Sequence, residues 1–193
     1  MQSTTAITPL YGLVLAGGHS TRMGRDKGEI AYHGTRQRSH LFALLSQCCE
    51  QVYISCREEQ QGSLGPNEPF ILDQYSAEGP LKGILSAHEA HPKVAWLVVA
   101  VDLPNVIPET LSRLVQSRDS EKWTTAYVTR LRQHPEPLLA IWEVAALEAA
   151  KQEAVSGNFG PVRMLRKWDI REVYPQSDGE LLNVNRPEDL GKV

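Results

Sequence analysis

Near its start the chain carries, over residues 11–27, the stretch YGLVLAGGHSTRMGRDK. The apolar run Tyr11–Leu15 has the length and composition of a buried strand, and two adjacent glycines follow it closely. Glycine has no Cβ, so the backbone N–H groups of Gly17 and Gly18 can approach a phosphate group closely and point at it together. The stretch therefore predicts a strand that leads directly into a phosphate-binding loop.

Basic side chains gather behind this loop, although the chain as a whole is slightly acidic. Lys and Arg number 20 against 23 Asp and Glu, which gives a formal net charge of −3. Between residues 22 and 38, five basic side chains stand against two acidic ones. Among them, Arg22 has a planar guanidinium group and Lys27 a compact ammonium group, and both can bind phosphate oxygens. The segment indicates a site for an anionic small molecule, and we expect neither nucleic acid nor a membrane as a partner.

Other well-known site motifs are excluded by spacing. No G-x-G occurs among the 14 glycines, which excludes the dinucleotide-binding fingerprint, and no G-K-[ST] occurs, which excludes a P-loop. The sequence also contains no G-x-S-x-G and no H-E-x-x-H, so neither a serine nucleophile nor a zinc protease site is indicated.

Length and composition favour one globular domain over residues 1–193. Hydrophobic residues make up 41% and charged residues 22%, a balance that argues against disorder. The longest uncharged apolar run, Val94 to Val101, is far shorter than the roughly 20 residues that span a bilayer. No basic segment followed by an apolar one opens the chain, and its three cysteines form no C-x-x-C pair. We therefore expect a protein of the cytoplasm with reduced thiols.

Short apolar runs alternate with amphipathic ones, which is typical of an α/β layer fold. The predicted strands are Tyr11–Leu15, Val52–Cys56, Phe70–Leu72, Trp96–Val101, Thr125–Thr129, Leu138–Ile141 and Ile170–Val173. The predicted helices are Gln37–Gln51, Leu81–Ala90, Pro108–Gln116, Glu143–Glu153 and Val162–Lys167, with a last one near Glu188. The stretch 121–142 is interpreted as strand, loop and strand, so we expect a mostly parallel but mixed sheet.

In an open parallel sheet, ligands bind at the carboxyl ends of the strands. Besides the glycine loop, the residues at these ends include the segment from Ser55 to Arg57, Asp73, Asp102 and the loop around His134. Two of them are lone acids that directly follow apolar strands, which makes them candidates for ligand or metal contact.

The motif L-A-G-G-x-S-x-R-M-G-x-D-K resembles the signature of the molybdenum cofactor guanylyltransferase family, within the wider nucleotidyltransferases. Further matches follow in order: Leu72-Asp73 with the segment 78–84, then Val101-Asp102-Leu103-Pro104, His134-Pro135, Asn183-Val184-Asn185 and the segment 187–190. The resemblance runs from about residue 11 to 190. It implies a three-layer α/β/α, Rossmann-like fold with a mostly parallel mixed sheet, the nucleotide-diphospho-sugar transferase fold.

Enzymes of this family bind GTP with Mg²⁺ and join GMP to the terminal phosphate of molybdopterin, releasing pyrophosphate. The resemblance implies nucleotide contacts at Leu15, Ala16, Gly17, Gly18, Lys27, Ser55, Asp73 and Asp102. It implies catalytic roles for Arg22, Lys27 and Asp102, magnesium ligation by Asp102, and pterin-side contacts at His134, Asn183 and Asn185. Proteins that insert the cofactor, and molybdoenzymes, are the implied protein partners.

Several candidates also have purely structural explanations. Asp102 could simply end a buried strand, His134 lies in a proline-rich turn, and Asn183 and Asn185 could form a turn before Pro187.

Departures from the family pattern leave other functions open. Ser55 stands where an asparagine often contacts guanine, so cytosine remains the second candidate base. A cytidylyltransferase acting on the same cofactor and a sugar-1-phosphate nucleotidyltransferase are therefore alternatives. The short chain, Ser20 and the lack of a hexapeptide repeat argue against the sugar enzyme. A non-catalytic module that delivers molybdopterin is an alternative from another class.

Overall fold

Strands and helices alternate along the chain in the computed structural model, which describes residues 8–18, 23–129 and 133–192. The strands are β1 Leu10–Leu15, β2 Gln51–Cys56, β3 Phe70–Leu72, β4 Ala95–Ala100, β5 Thr124–Val128, β6 Pro135–Trp142 and β7 Arg171–Val173. The α-helices are α1 Gln37–Leu45, α2 Pro80–Ala90, α3 Pro108–Gln116, α4 Val144–Val155 and α5 Pro161–Leu165. Short 3₁₀ turns cover Lys27–Glu29, Glu58–Ser63, Asp178–Leu181 and Pro187–Lys192.

The strands form one mixed sheet in the order β3-β2-β1-β4-β6-β5-β7. β1 pairs in parallel with β2 and with β4, and β2 pairs in parallel with β3. β6 runs antiparallel to both of its neighbours, β4 and β5, whereas β7 is parallel to β5. The predicted mostly parallel but mixed sheet is confirmed, and the antiparallel strand arises from the strand-loop-strand unit that the sequence indicated.

Helices cover both faces of the sheet, so the molecule has three layers. One hydrophobic cluster joins the sheet to α1 and α3 through Leu41, Leu45 and Leu111. The other joins it to α2, α4 and α5, with Leu85 and Leu147 among its members. Successive strand residues face opposite sides, and both sides of β4 are buried, as expected for a central strand covered by helices on both faces.

The first helix is shorter than the sequence predicted. The expected helix Gln37–Gln51 is wrong beyond Leu45, because α1 ends there and Gln51 already belongs to β2. Cys48 and Cys49 lie half-buried in the turn between them, and both N–H groups donate to the Leu45 carbonyl at 3.0 Å. The cause is tertiary: β2 must start level with Tyr11 to pair with β1, so the chain has to leave the helix earlier.

The other helix boundaries agree with the sequence to within a few residues. Pro108 opens α3 as predicted. Gly157 follows α4 with φ of 78°, in the left-handed conformation expected of a helix C-cap. The last helix, near Glu188, is a 3₁₀ turn rather than an α-helix. None of the helices in the described part of the chain has the length and apolar character needed to cross a bilayer.

Candidate active site

A cavity of about 360 Å³ opens at the carboxyl ends of β1, β2, β3 and β4, where the fold rule places a ligand. Its volume lies within the range of small-molecule sites. The cavity is lined by Leu15, Gly17, Gly18, Lys27, Ser55, Arg57, Asp73, Gly79, Pro80, Lys82, Gly83, Ala100, Val101, Asp102 and Leu138. The structure therefore brings together the glycine loop, one lysine and both lone acids that the sequence singled out.

Close packing against Asp73 requires the first glycine of the loop. A Cβ on Gly17 would lie 1.7 Å from Asp73 Oδ2, a distance that no side chain can adopt without moving the carboxylate. A Cβ on Gly18, in contrast, would meet nothing within 4 Å. Ala16 continues the ladder beyond β1, since its N–H donates to the Ser55 carbonyl at 2.9 Å. The two glycines thus have different structural roles. Gly17 leaves space for the Asp73 carboxylate, whereas Gly18 exposes its backbone at the cavity wall.

Ser55 and Asp73 form a linked pair at one end of the cavity. Ser55 is fully buried, and its Oγ donates to Asp73 Oδ1 at 2.5 Å. The first turn of α2 packs closely over them, because a Cβ on Gly83 would lie 2.3 Å from Ser55 Oγ. Burial raises the pKa of the Asp73 carboxyl, while the Ser55 hydrogen bond and the positive charges of Lys82 and Arg57 oppose the rise. The Ser55 hydroxyl is thus engaged by Asp73.

Lys27, Asp102 and Asn185 meet at the other end of the cavity. Lys27 Nζ donates to Asn185 Oδ1 at 2.8 Å and lies 3.9 Å from Asp102 Oδ2. Burial raises the pKa of the Asp102 carboxyl, and the Lys27 charge opposes that rise. Asp102 Oδ1 is buried and has no hydrogen-bond partner among the described residues. A buried carboxylate oxygen that lacks a donor is the type of group that a bound cation stabilises.

The segment Asn183-Val184-Asn185 is hydrogen-bonded to the residue that follows the end of β4. The Val184 N–H donates to the Asp102 carbonyl at 2.8 Å, and the Val184 side chain is fully buried beside Met23. Asn183 Nδ2 reaches Glu136 Oε2 at 3.5 Å and the Leu181 carbonyl at 3.2 Å. Neither asparagine lines the cavity, but Asn185 borders it through its hydrogen bond with Lys27.

His134 lies outside the wall of this cavity. Its ring is half-buried, and Nδ1 lies 3.5 Å from the Pro135 carbonyl oxygen. Arg22, which the sequence predicts to be catalytic, lies outside the described residues. The substrate contact assigned to His134 and the catalytic role assigned to Arg22 stay predictions.

Glu136 does not line the cavity but lies close enough to interact with Asp102, and the sequence reasoning missed it. Burial raises the pKa of its carboxyl, and the negative charge of Asp102 adds to the rise. Its Oε1 accepts a hydrogen bond from the Leu138 N–H at 3.2 Å. The available signal was an acid between two prolines directly after His134, which we interpreted as part of a turn.

Arg57 and Gln60 are further residues that the motifs did not identify. Arg57 lines the cavity, and its Nη1 donates to the carbonyls of Gly17 and Gly18. Gln60 is buried in the 3₁₀ turn after β2 and donates to the Ala16 carbonyl. Arg57 was within reach of the sequence, because it follows directly after β2, but nothing marks Gln60 within its run of polar residues.

The strand order and the position of the cavity are those of the nucleotide-diphospho-sugar transferase fold. Solved structures share this architecture. Molybdopterin-guanine dinucleotide biosynthesis protein A from Archaeoglobus fulgidus superimposes with a TM-score of 0.77 at 24% identity, over 94% of this chain and 95% of that one. The 2-C-methyl-D-erythritol 4-phosphate cytidylyltransferase from Thermus thermophilus gives 0.67 at 12% identity, over 93% and 94%. At these identities the likeness shows the fold.

Sequence relatives then give the family. The MobA-like NTP transferase domain matches residues 12–173, and the chain belongs to this family. It is 31% identical to a molybdenum cofactor guanylyltransferase from Pseudomonas fluorescens, over 97% of this chain and 95% of the relative. It is 35% identical to a molybdenum cofactor biosynthesis bifunctional protein from Synechocystis sp., over 96% of this chain. The chain spans about half (54%) of that bifunctional relative.

The contact between Ser55 and Asp73 leads to a prediction about protonation. Because the Ser55 hydroxyl stabilises the ionised carboxylate, we expect Ser55→Ala to raise the pKa of Asp73 further above the ordinary aspartate value. The measurement is a pH titration of the Asp73 carboxyl carbon by NMR. Ser112→Ala, on the exposed face of α3, is the control and should leave the titration unchanged. An unchanged or lower pKa in Ser55→Ala would contradict the assigned hydrogen bond.

Proposed function

We propose that this protein transfers GMP from GTP to molybdopterin, with or without bound molybdenum, and releases pyrophosphate in molybdenum cofactor biosynthesis. The observation that carries the proposal is that Lys27 and Asp102 lie close together in the wall of the cavity that the glycine loop also lines, with Asn185 bonded to Lys27. Lys27 is a cation that suits phosphate oxygens, Asp102 has a carboxylate oxygen without a donor, and Asn185 provides a side-chain amide from the C-terminal segment. The names of the relatives, among them the guanylyltransferase from P. fluorescens, support the same reaction.

Asp73 is the residue that we assign to base recognition. Guanine presents two adjacent donors, N1–H and the N2 amino group, which a carboxylate can accept as a pair. Cytosine presents only its N4 amino group as a donor on the corresponding edge. The hydrogen bond from Ser55 fixes one oxygen of Asp73, and the space over Gly17 gives room to the other. The proposed guanine contact therefore needs no direct contact from Ser55, although this serine stands where the family often has an asparagine.

The triphosphate is assigned to the stretch between the glycine loop and Lys27. Backbone N–H groups at Gly17 and Gly18 and the Lys27 ammonium offer donors and positive charge. Lys82, which lines the same cavity, adds a further cation. Leu15 lines the cavity and Ala16 is buried at the start of the loop, and we assign both to the nucleotide, as the family motif implies.

Asp102 is the residue that would hold Mg²⁺. Its buried Oδ1 lacks a donor, which fits a cation ligand, and the described residues contain no group of three or more His, Cys, Asp or Glu side chains suited to hold a metal. Magnesium commonly binds through one or two carboxylates together with substrate phosphates and water, so a single aspartate suffices. When bound, the ion neutralises charge on the phosphate oxygens.

The reaction requires no side-chain nucleophile, because the acceptor phosphate is already an anion near neutral pH. One of its oxygens forms a bond to the α-phosphorus of GTP, and the bond from that phosphorus to the β-phosphate oxygen breaks as pyrophosphate leaves. The site must hold two anions in line and reduce their repulsion. Lys27, together with Arg22, supplies positive charge for this purpose. Asn183, Asn185 and the loop at His134 are assigned to the acceptor.

The cellular setting follows from the same assignment. We place the protein in the cytoplasm, where its three free cysteines, Cys48, Cys49 and Cys56, would stay reduced. The product is a finished cofactor, so proteins that insert it and the molybdoenzymes that receive it are the proposed protein partners.

We expect Lys27→Ala and Asp102→Ala each to lower the rate of GMP transfer by about 10²–10³-fold, the usual cost of removing one electrostatic contact to the transition state. Both variants should still unfold cooperatively, which circular dichroism on heating can check. Lys93→Ala, an exposed lysine just before β4, is the control and should transfer GMP at the native rate. A near-native rate in either site variant would reject the assigned role.

A matrix of nucleotides and acceptors tests the function itself. Pyrophosphate release is expected with GTP, molybdopterin and Mg²⁺ together, and not when CTP or UTP replaces GTP. Preference for CTP would indicate a cytidylyltransferase, and turnover with a sugar 1-phosphate would indicate a sugar nucleotidyltransferase. Binding of GTP and molybdopterin without pyrophosphate release would indicate a delivery module. Any of these three outcomes contradicts the proposal.

A further inference from the structure

Arg57 and Gln60, from the segment that follows β2, hold the backbone of the glycine loop. Arg57 Nη1 donates to the carbonyl oxygens of Gly17 and Gly18 at 2.6 and 2.7 Å. Gln60 Nε2 donates to the Ala16 carbonyl at 3.0 Å. Three consecutive carbonyl groups of the loop are therefore bound by one cation and one amide.

The direction of these carbonyls decides where the amides of the loop point. In a planar trans peptide unit, the C=O of one residue and the N–H of the next point in opposite directions. With the carbonyls of Ala16 and Gly17 bound to Gln60 and Arg57, the N–H groups of Gly17 and Gly18 point away from those side chains. Glycine does not by itself fix the orientation of its peptide units. Without the bonds to Gln60 and Arg57, a peptide unit of the loop could rotate and turn its carbonyl oxygen towards an anion.

Gln60 also connects the glycine loop to the turn that carries the catalytic lysine. Its Nε2 makes a second hydrogen bond, to Asp26 Oδ2 at 2.5 Å. Asp26 in turn caps the 3₁₀ turn Lys27–Glu29, since its Oδ1 accepts from the Gly28 N–H at 2.8 Å. Gln60 Oε1 accepts from the Arg57 N–H at 2.9 Å. The buried side-chain amide of Gln60 is thus bonded at both its nitrogen and its oxygen.

We propose that Gln60 and Arg57 are positioning residues that keep the glycine-loop amides and Lys27 in one arrangement matched to a triphosphate. The inference rests on the proposed function, because it assumes that GTP is the nucleotide. It assigns neither residue a bond to the reacting atoms. It predicts that the part of GTP affinity contributed by the phosphates depends on Gln60, whereas the part contributed by the base does not.

The test compares the binding of GTP and of guanosine by calorimetry in the presence of Mg²⁺. Gln60→Glu preserves size but replaces the donor by an oxygen that faces two acceptors, the Ala16 carbonyl and Asp26. We expect it to weaken GTP binding about tenfold or more and to leave guanosine binding unchanged within about twofold. Gln61→Glu is the matched control, because the Gln61 side chain lines a separate groove with Leu64 and Phe70. It should bind both ligands as the native protein does.

A second pair of variants keeps the test decisive if Gln60→Glu does not fold. Arg57 is partly exposed, with 25% of its side chain accessible, so Arg57→Met should fold and lose GTP affinity in the same selective way. Arg57→Lys keeps a donor for both carbonyls and should recover most of that affinity. A folded Gln60→Glu or Arg57→Met protein with native GTP affinity would overturn this inference alone. A native protein that binds GTP no more tightly than guanosine would overturn the proposed function as well.

Discussion

β1 lies between β2 and β4 and pairs in parallel with both, so that Leu15 is level with Ser55 on one side and with Ala100 on the other. Because all three strands end at the same edge, the glycine loop emerges between Ser55 and Asp102. The next strand in the sheet, β3, also runs parallel to β2, and just beyond it the Asp73 N–H donates to the Cys56 carbonyl at 2.9 Å. The pairing of β3, β2, β1 and β4 thus places the start of the glycine loop and both acids at one edge of the sheet.

The site contains more carboxylates than a pocket for a polyanion would be expected to hold. Asp73, Asp102 and Glu136 are all partly buried, and burial raises the pKa of each. Such groups cost free energy in the folded protein unless a donor or cation satisfies them. Guanine N–H groups at Asp73 and a divalent ion at Asp102 would supply that compensation, whereas Lys27 is assigned to the phosphates. The acids therefore fit a site arranged before its ligand arrives.

The sequence was sufficient to predict the features that depend on local pattern. Apolar runs of strand length predicted the strands, and the glycine pair after Leu15 predicted the loop that lines the cavity. The features that it missed arise from contacts between distant segments. α1 stops at Leu45 because β2 must start in register with β1, which no residue near position 45 encodes. Gln60 is buried only because the glycine loop folds against it, and Glu136 becomes a site residue only when β6 pairs beside β4.

The central claim is that one preformed edge of the sheet binds the base at Asp73 and the phosphates at the glycine loop. A crystal structure with GTP and Mg²⁺ tests this claim most directly. The account predicts the N1 and N2 atoms of guanine within about 3 Å of the Asp73 carboxylate. It also predicts phosphate oxygens on the amides of Gly17 and Gly18 and beside Lys27, with the metal on Asp102. A triphosphate bound away from the loop, or a guanine edge turned away from Asp73, would contradict it.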